Sequence, residues 1–200
     1  MVANAFLRRP VARNQCPGNS THHQVNKIVI FGKPGGGKSS LGRKLAAATG
    51  IKLCSLDLIE YKKNGERVSP EEYSQQHADL LSADNWIIEG LGTLESFWLR
   101  IDAADTLIYV DLPYPVHYWW IAKRLLKSVF VNPEGWPEGS SVLKGTLASW
   151  RYLRLSPRFW TPGLFEKIQQ RAKGKNIYRI TSVKEINNFA KQFGSAGSRA

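Results

Sequence analysis

Cysteine and long apolar runs are scarce in this chain of 200 residues. Its two cysteines, Cys16 and Cys54, are too few for a disulfide framework and fit a reducing compartment. No apolar run approaches the roughly 18 residues that a membrane-spanning helix needs. No signal-peptide apolar core with a cleavage site stands near the amino end. These absences predict a soluble, cytoplasmic protein with no membrane partner.

Acidic side chains are also few, with 16 Asp and Glu against 28 Lys and Arg, which gives a formal net charge of +12. The excess is concentrated in residues 120–180, which hold twelve Lys and Arg against three Glu. A basic segment of this kind suits a polyphosphate ligand or nucleic acid, or else it is a solvated face.

The two ends of the chain lack the apolar periodicity of the middle. Residues 1–24 contain arginine, proline and a histidine pair but no acid, so we expect a disordered extension. Residues 195–200 are small and polar and predict a frayed tail. Between them, residues 25–194 are enough for a single α/β domain with a buried core.

One stretch carries specific chemistry. Residues 32–39 read GKPGGGKS and fit the phosphate-binding pattern G-x-x-x-x-G-K-[ST]. Glycines let the backbone curl so that its N–H groups point at phosphate oxygens, the lysine reaches the same oxygens, and the serine hydroxyl ligates Mg²⁺. The residues predicted to hold the nucleotide here are Gly32, Pro34, Gly35, Gly36, Gly37, Lys38, Ser39 and Ser40.

The flanks of this motif have the required form, with an apolar strand at 27–31 before it and a helix at 40–49 after it. Gly50 is placed to cap the end of that helix. Further apolar strands are expected near 51–56, 85–90, 106–111 and 176–181, separated by helices. This alternation predicts a doubly wound α/β fold with right-handed crossovers.

Two acids stand at the ends of predicted strands. Asp57 is either the N-cap of a short helix, with Glu60 completing a capping box, or a ligand-facing acid at the carboxyl end of a parallel strand. Both roles are compatible. Glu89 is either an ordinary turn acid or the second acidic element of a nucleotide enzyme, which holds a water on Mg²⁺ or orients the attacking group.

The helix predicted from Pro115 to Phe130 contains Trp119 and Trp120, which we expect to pack against the core. Three further tryptophans, at 136, 150 and 160, either pack the following helices or stack on a ring of a ligand.

Several of these stretches together resemble the P-loop small-molecule and nucleoside monophosphate kinases, of which adenylate kinase is the best known. They are most similar to a branch described as DNA-topology-modulation-like kinases. The resemblance covers about residues 27 to 193 and rests on these stretches: the loop at 32–39, WIIEG at 86–90, ADTLIYVDLP at 104–113, KR at 123–124, GWPE at 135–138, and WR at 150–151.

The resemblance implies a three-layer P-loop fold with a parallel sheet in the order 2-3-1-4-5 and a helical lid at about 127–165. It implies transfer of the ATP γ-phosphate to a small acceptor. Glu89 stands where the kinases keep their strand-3 acid, Arg124 where a lid-side arginine contacts the ATP phosphates, and Asp57 where sugar and shikimate kinases place an acid on the acceptor. Lid arginines suit phosphate oxygens, and the further candidates are Arg151, Arg154 and Arg158.

The chain departs from adenylate kinase after Gly90, where Leu91-Gly92-Thr93 replaces the segment with the arginine that grips a monophosphate. The resemblance therefore does not predict AMP as the acceptor. The lid region also lacks the cysteines and histidines of a zinc site.

The sequence thus predicts an ATP- and Mg²⁺-dependent kinase, monomeric or homodimeric, acting on a nucleotide, a nucleoside or another hydroxyl compound. Its predicted catalytic residues are Lys38, Asp57, Glu89 and Arg124, and its predicted metal-site residues are Ser39 and Glu89. The alternative, which the basic segment keeps open, is a nucleic-acid-associated P-loop ATPase or regulator of DNA topology.

Overall fold

The sheet is centred on its first strand, β1 (Lys27–Gly32), in which Ile28, Val29, Ile30 and Phe31 are completely buried. These observations come from a computed structural model, which describes residues 25–62, 65–128 and 142–197. The predicted extension at 1–24 lies outside the described residues.

Four more strands flank β1 in parallel, and the sheet order is β2-β3-β1-β4-β5, as predicted. The strands are β2 (Leu53–Ser55), β3 (Trp86–Glu89), β4 (Thr106–Val110) and β5 (Asn176–Ile180). The helices are α1 (Lys38–Thr49), α2 (Asp57–Glu60), α3 (Pro70–Ser82), α4 (Leu94–Ala103), α5 (Tyr114–Ser128), α6 (Val142–Leu155), α7 (Pro162–Arg171) and α8 (Val183–Gly197), with a 3₁₀ turn at Ser156–Arg158.

Alternate residues of β1 face two separate cores, which makes the fold three-layered. Ile28 and Ile30 pack with residues of α1 and α8 on one face of the sheet. Val29 and Phe31 pack with residues of α4 and α7 on the other face. Burial of a strand on both faces is what an uninterrupted apolar run predicts for a parallel sheet.

Helix ends follow their local signals in most places. Gly50 ends α1 in the left-handed conformation, as predicted, and its N–H bonds to the Ala46 carbonyl. Ser69 caps α3 by accepting from the Glu72 N–H. The predicted capping box at Asp57 is wrong, because Asp57 is already the first residue of α2 and no side chain caps that helix.

The region predicted as a lid is only partly described. It contains α6, the 3₁₀ turn and the start of α7, while residues 129–141 lie outside the described residues. The last helix, α8, continues through Gly197 into the segment predicted as a tail. Within the described part of the chain, no helix is long and apolar enough to cross a membrane.

Helix α5 packs directly on the glycine-rich loop between β1 and α1. A Cβ atom added to Gly35 would lie 2.5 Å from Ile121, one on Gly36 would lie 2.9 Å from the His117 ring, and one on Gly37 would lie 2.7 Å from the Trp120 ring. Real Cβ atoms do not approach other atoms so closely. A larger residue at any of the three positions would therefore force α5 side chains to shift, quite apart from any ligand.

Replacing Gly37 by alanine should destabilise the fold more than the same change at Gly50. Both glycines have φ near +75°, at +76° and +74°, but no atom lies within 4 Å of a Cβ on Gly50. We expect Gly50→Ala to lower the free energy of unfolding by roughly 1 kcal/mol through backbone strain alone. Gly37→Ala should cost roughly 2–4 kcal/mol, because overpacking against Trp120 is added to the strain.

Urea-induced unfolding of the two variants measures this difference. Trp120→Leu, introduced beside Gly37→Ala, should recover part of the loss because it removes the crowded ring. Equal losses for the two alanine variants would contradict the close packing of α5 on the loop.

Candidate active site

The carboxyl ends of three neighbouring strands bring the predicted site residues to one edge of the sheet. The glycine-rich loop leaves β1 at Gly32, Asp57 follows β2, and Glu89 ends β3. Strands β1 and β3 are adjacent and parallel, and so are β2 and β3. Ligands bind at this edge in open parallel sheets.

Glu89 is a buried carboxylate that connects the loop to the neighbouring strand. It is 5% exposed, and its Oε1 accepts hydrogen bonds from Ser39 Oγ at 3.0 Å and from Ser55 Oγ at 2.7 Å. Ser39 and Glu89, the two predicted metal-site residues, are thus in direct contact. Ser55 is not among the predicted site residues, although it is the register partner of Glu89 in the β2–β3 pairing.

A buried arginine on α4 fixes the segment that follows Glu89. Arg100, on α4, is completely buried and donates to the Leu91 carbonyl at 2.5 Å, to Ser96 Oγ at 3.2 Å and to His77 Nε2 at 3.1 Å. Burial lowers the pKa of Arg100 to about 10. These bonds fix the chain just beyond the strand end that carries Glu89.

Lys38 points back into its own loop. Its Nζ donates to the Lys33 carbonyl at 2.9 Å. Burial lowers its pKa, and the negative charges of Glu89 and then Asp57 oppose that effect. Arg124 lowers it slightly as a like charge. Four of the predicted site residues therefore lie within electrostatic range of one another.

Asp57 has an unusually basic carboxylate. Desolvation by the surrounding protein and then the negative charge of Glu89 raise its pKa to about 6, while Lys38 and Arg124 pull it down. Asp57 is exposed at the surface, and solvent there moderates the effect of both. A carboxylate of this kind changes charge close to neutral pH.

Arg124 connects the site to α6. Its Nη2 donates to Ser149 Oγ at 2.9 Å, and that hydroxyl donates to the Gly145 carbonyl. Burial lowers the pKa of Arg124, and the charge of Asp57 raises it. The guanidinium group therefore stands between helix α6 and the acid at the end of β2.

A second charged cluster, absent from the predicted site residues, fixes the start of the loop. Lys33 is 4% exposed, forms an ion pair with Asp111 and lies 4.9 Å above the Tyr114 ring. Arg179 Nε also donates to Asp111, at 3.0 Å. Burial alone would raise the pKa of Asp111, but these two cations hold it below its usual value.

The other predicted lid arginines are not part of this group. Arg151, Arg154 and Arg158 are exposed. The first two line a cleft of about 500 Å³ with Tyr118 and Trp150. Their charges are not among those that shift the pKa values of Lys38 and Asp57.

The tryptophans differ in their surroundings. Trp120 packs on the loop at Gly37, but Trp119 is 64% exposed, so the prediction that both pack was wrong for Trp119. Trp160 stacks on Tyr109 in the core, with ring centroids 5.4 Å apart. Trp150 is exposed, and Trp136 lies outside the described residues.

The oxygen atoms at this edge suit a magnesium ion shared with a phosphate ligand. Mg²⁺ prefers oxygen ligands and is commonly held by one or two protein groups together with substrate phosphates and water. The Ser39 hydroxyl and the Glu89 carboxylate provide such a pair. Among residues 25–62, 65–128 and 142–197, no group of three or more His, Cys, Asp or Glu side chains forms a ready-made metal site.

Comparison with solved structures identifies the fold. The shikimate kinase from Acinetobacter baumannii, solved with shikimate, is similar over 84% of this chain and 90% of its own, with a TM-score of 0.52 and 16% identity. No protein-family model matches the chain, and no curated protein matches it by sequence.

Two other solved kinases are similar at lower scores. They are a gluconokinase from Sinorhizobium meliloti (TM-score 0.45, 15% identity, 87% of this chain and 92% of that one) and a sugar kinase from a Janibacter species (TM-score 0.43, 14% identity, 86% and 91%). Because both scores are below 0.5, the assignment rests on the shikimate kinase and on the strand order. The chain has the same fold as this shikimate kinase, a five-stranded parallel sheet in the order β2-β3-β1-β4-β5 with helices on both faces.

Proposed function

We propose that the chain is an ATP-dependent phosphotransferase that moves the γ-phosphate of ATP to a small acceptor carrying a hydroxyl or phosphate group. One observation carries the proposal. Ser39 of the phosphate-binding motif donates directly to Glu89, at 3.0 Å, beside Lys38 and Asp57. A glycine-rich turn that bound nothing would not need three charged side chains at its open edge.

The loop and α1 would hold the triphosphate. The helix begins at Lys38, so its unpaired N–H groups and the positive end of its dipole lie at the loop. Lys38 would exchange the Lys33 carbonyl for phosphate oxygens. Burial lowers the pKa of Lys38, and negatively charged phosphate oxygens would stabilise its ammonium form more strongly than the carbonyl does.

Ser39 and Glu89 would hold the metal, Ser39 through its hydroxyl and Glu89 through water. When bound, Mg²⁺ would neutralise charge on the β- and γ-phosphates and align them. Ser55 would keep the Glu89 carboxylate oriented, because it already donates to the same oxygen as Ser39.

Asp57 would orient the acceptor and take its proton. A general base is most effective when its pKa lies near the working pH, and that of Asp57 is about 6. Arg124 would stabilise the transferring phosphoryl group from the side of α5. The roles of Arg151, Arg154 and Arg158 as lid cations remain a prediction.

The finer assignment is also a proposal. The motifs favour the adenylate-kinase-like branch and its DNA-topology-modulation-like members, while the change after Gly90 argues against AMP as the acceptor. ADP release from ATP and Mg²⁺, measured over nucleoside monophosphates, nucleosides and small hydroxyl compounds, would identify the acceptor class.

Lys38→Ala should remove ATP turnover while the fold stays intact. The ammonium group is expected to contact the transferring phosphate, and losing one such donor lowers the turnover rate on the order of 100-fold or more. The matched control is Lys44→Ala on the same helix, where the side chain is exposed and its ammonium group donates to Asn187 on α8, away from the loop. Circular dichroism confirms folding. Wild-type turnover by Lys38→Ala would make the kinase assignment wrong.

Protonation of Asp57 should limit the activity on the acidic side of the pH–rate profile. Activity is expected to fall as the pH drops through about 6, because the base is then protonated. Asp57→Asn should slow turnover by about 10²–10⁴-fold and abolish this pH dependence.

The same variant should stabilise the fold. The folded state raises the pKa of Asp57 to about 6, so ionising this carboxyl opposes folding above its unfolded value. Asp57→Asn should therefore raise the free energy of unfolding at neutral pH, and the gain should vanish as the pH falls below the unfolded value. Denaturant titrations at several pH values measure this. A gain that is independent of pH would contradict the shifted pKa.

A further inference from the structure

A completely buried histidine joins the phosphate loop to the end of β4. His117, on α5, is 0% exposed. Its Nδ1 lies 2.8 Å from the Pro34 carbonyl oxygen, inside the loop, and its Nε2 lies 3.2 Å from the Leu112 carbonyl oxygen. The ring also occupies the space where a side chain on Gly36 would be.

Both partners of this ring are acceptors, and a neutral imidazole cannot satisfy them together. A carbonyl oxygen only accepts, whereas neutral histidine has one N–H and one bare nitrogen. One ring nitrogen therefore faces an oxygen lone pair in the neutral form. Only the doubly protonated imidazolium donates to the Pro34 and Leu112 carbonyls at the same time.

The charges around the ring oppose that second proton in the absence of a ligand. Burial lowers the pKa of His117 to about 4, the bonds to the two carbonyls oppose this, and the positive charges of Lys33 and Lys38 add to it. The nearest ring on its own helix is that of Tyr114, with centroids 6.4 Å apart. Asp111, next to Leu112 in the chain, is already paired with Lys33 and Arg179.

We propose that His117 is a positioning residue of the phosphate loop that takes up a proton from solvent when a polyphosphate binds. This inference rests on the nucleotide binding proposed above and adds a residue that the phosphate motif does not contain. A polyphosphate in the loop offsets the charges of Lys33 and Lys38. The ring then gains its second N–H and fastens the Pro34 carbonyl to the end of β4.

The sign of the pH effect follows from this coupling. Between the pKa of His117 in the free chain, about 4, and its higher pKa in the complex, the bound state holds up to one more proton than the free state, so ligand affinity falls as the pH rises across that interval. A histidine that merely filled space would give no such dependence.

The direct test is a pH titration of the histidine ring nitrogens by ¹⁵N NMR, without and with saturating ADP and Mg²⁺. His77 is the internal control, because it is buried, its pKa is likewise lowered to about 4, and it bonds to Arg100 rather than to the loop. His77→Asn or His117→Asn assigns the two signals, whichever variant folds. We expect the His117 midpoint to rise by at least about one pH unit on ADP binding, while that of His77 stays in place.

Calorimetry supplies the second arm, with ADP and Mg²⁺ titrated into the chain at several pH values. Asp57→Asn is used as the background, so that the acid near the loop whose pKa is raised to about 6 is removed. Affinity should decline with rising pH in that background and should lose most of this decline when His117→Asn is added.

The outcomes separate the two proposals. No heat of ADP binding at any pH would overturn the proposed function. ADP binding with an unmoved His117 signal, or with the same pH dependence in His117→Asn, would overturn this inference and leave the proposed function standing.

Discussion

The contact between α5 and the glycine-rich loop is the constraint on which the site depends. Three consecutive loop residues lack a Cβ, and the space is filled by Ile121, His117 and the Trp120 ring. The loop is therefore shaped from outside by a helix that is remote in sequence. Its amides are held in place before any ligand arrives, which is how a binding site avoids the cost of ordering itself on association.

The three carboxylates near the loop differ in their surroundings. Two carboxylates near the loop are held by protein donors: Glu89 accepts from two serines, and Asp111 accepts from Lys33 and Arg179. The pKa of Asp57 is instead raised to about 6, by desolvation and then by the charge of Glu89. Asp111 is thereby kept ionised, whereas Asp57 can exchange a proton near neutral pH, as acid–base chemistry requires.

The parts of this structure that follow from local sequence were predictable. The strand, loop and helix around residues 27–49 are continuous in the chain, and the ends of parallel strands must meet at one edge, so the places of Asp57 and Glu89 followed from the pattern. The cap of α3 and the Gly50 helix end are equally local. The prediction of Asp57 as an N-cap was wrong because α2 begins one residue earlier than that prediction requires, so that Leu56 takes the N-cap position.

The remaining features depend on which residues meet across the fold. Lys33 occupies a position that the motif leaves free, and its partner Asp111 is 78 residues away. Ser55 reaches Glu89 only through the register of β2 and β3. Trp119 and Trp120 are chemically identical neighbours, and only the orientation of α5 decides which of them packs.

Helix α5 connects the loop to α6. It contacts the loop through residues 117–121, and its Arg124 donates to Ser149 on α6. The seven steps from residue 117 to residue 124 span only about 10 Å at about 1.5 Å per residue. A phosphate loop transplanted from this protein into another scaffold would thus need α5 as well. Any residue larger than glycine at positions 35–37 of the graft would crowd the side chains of that helix.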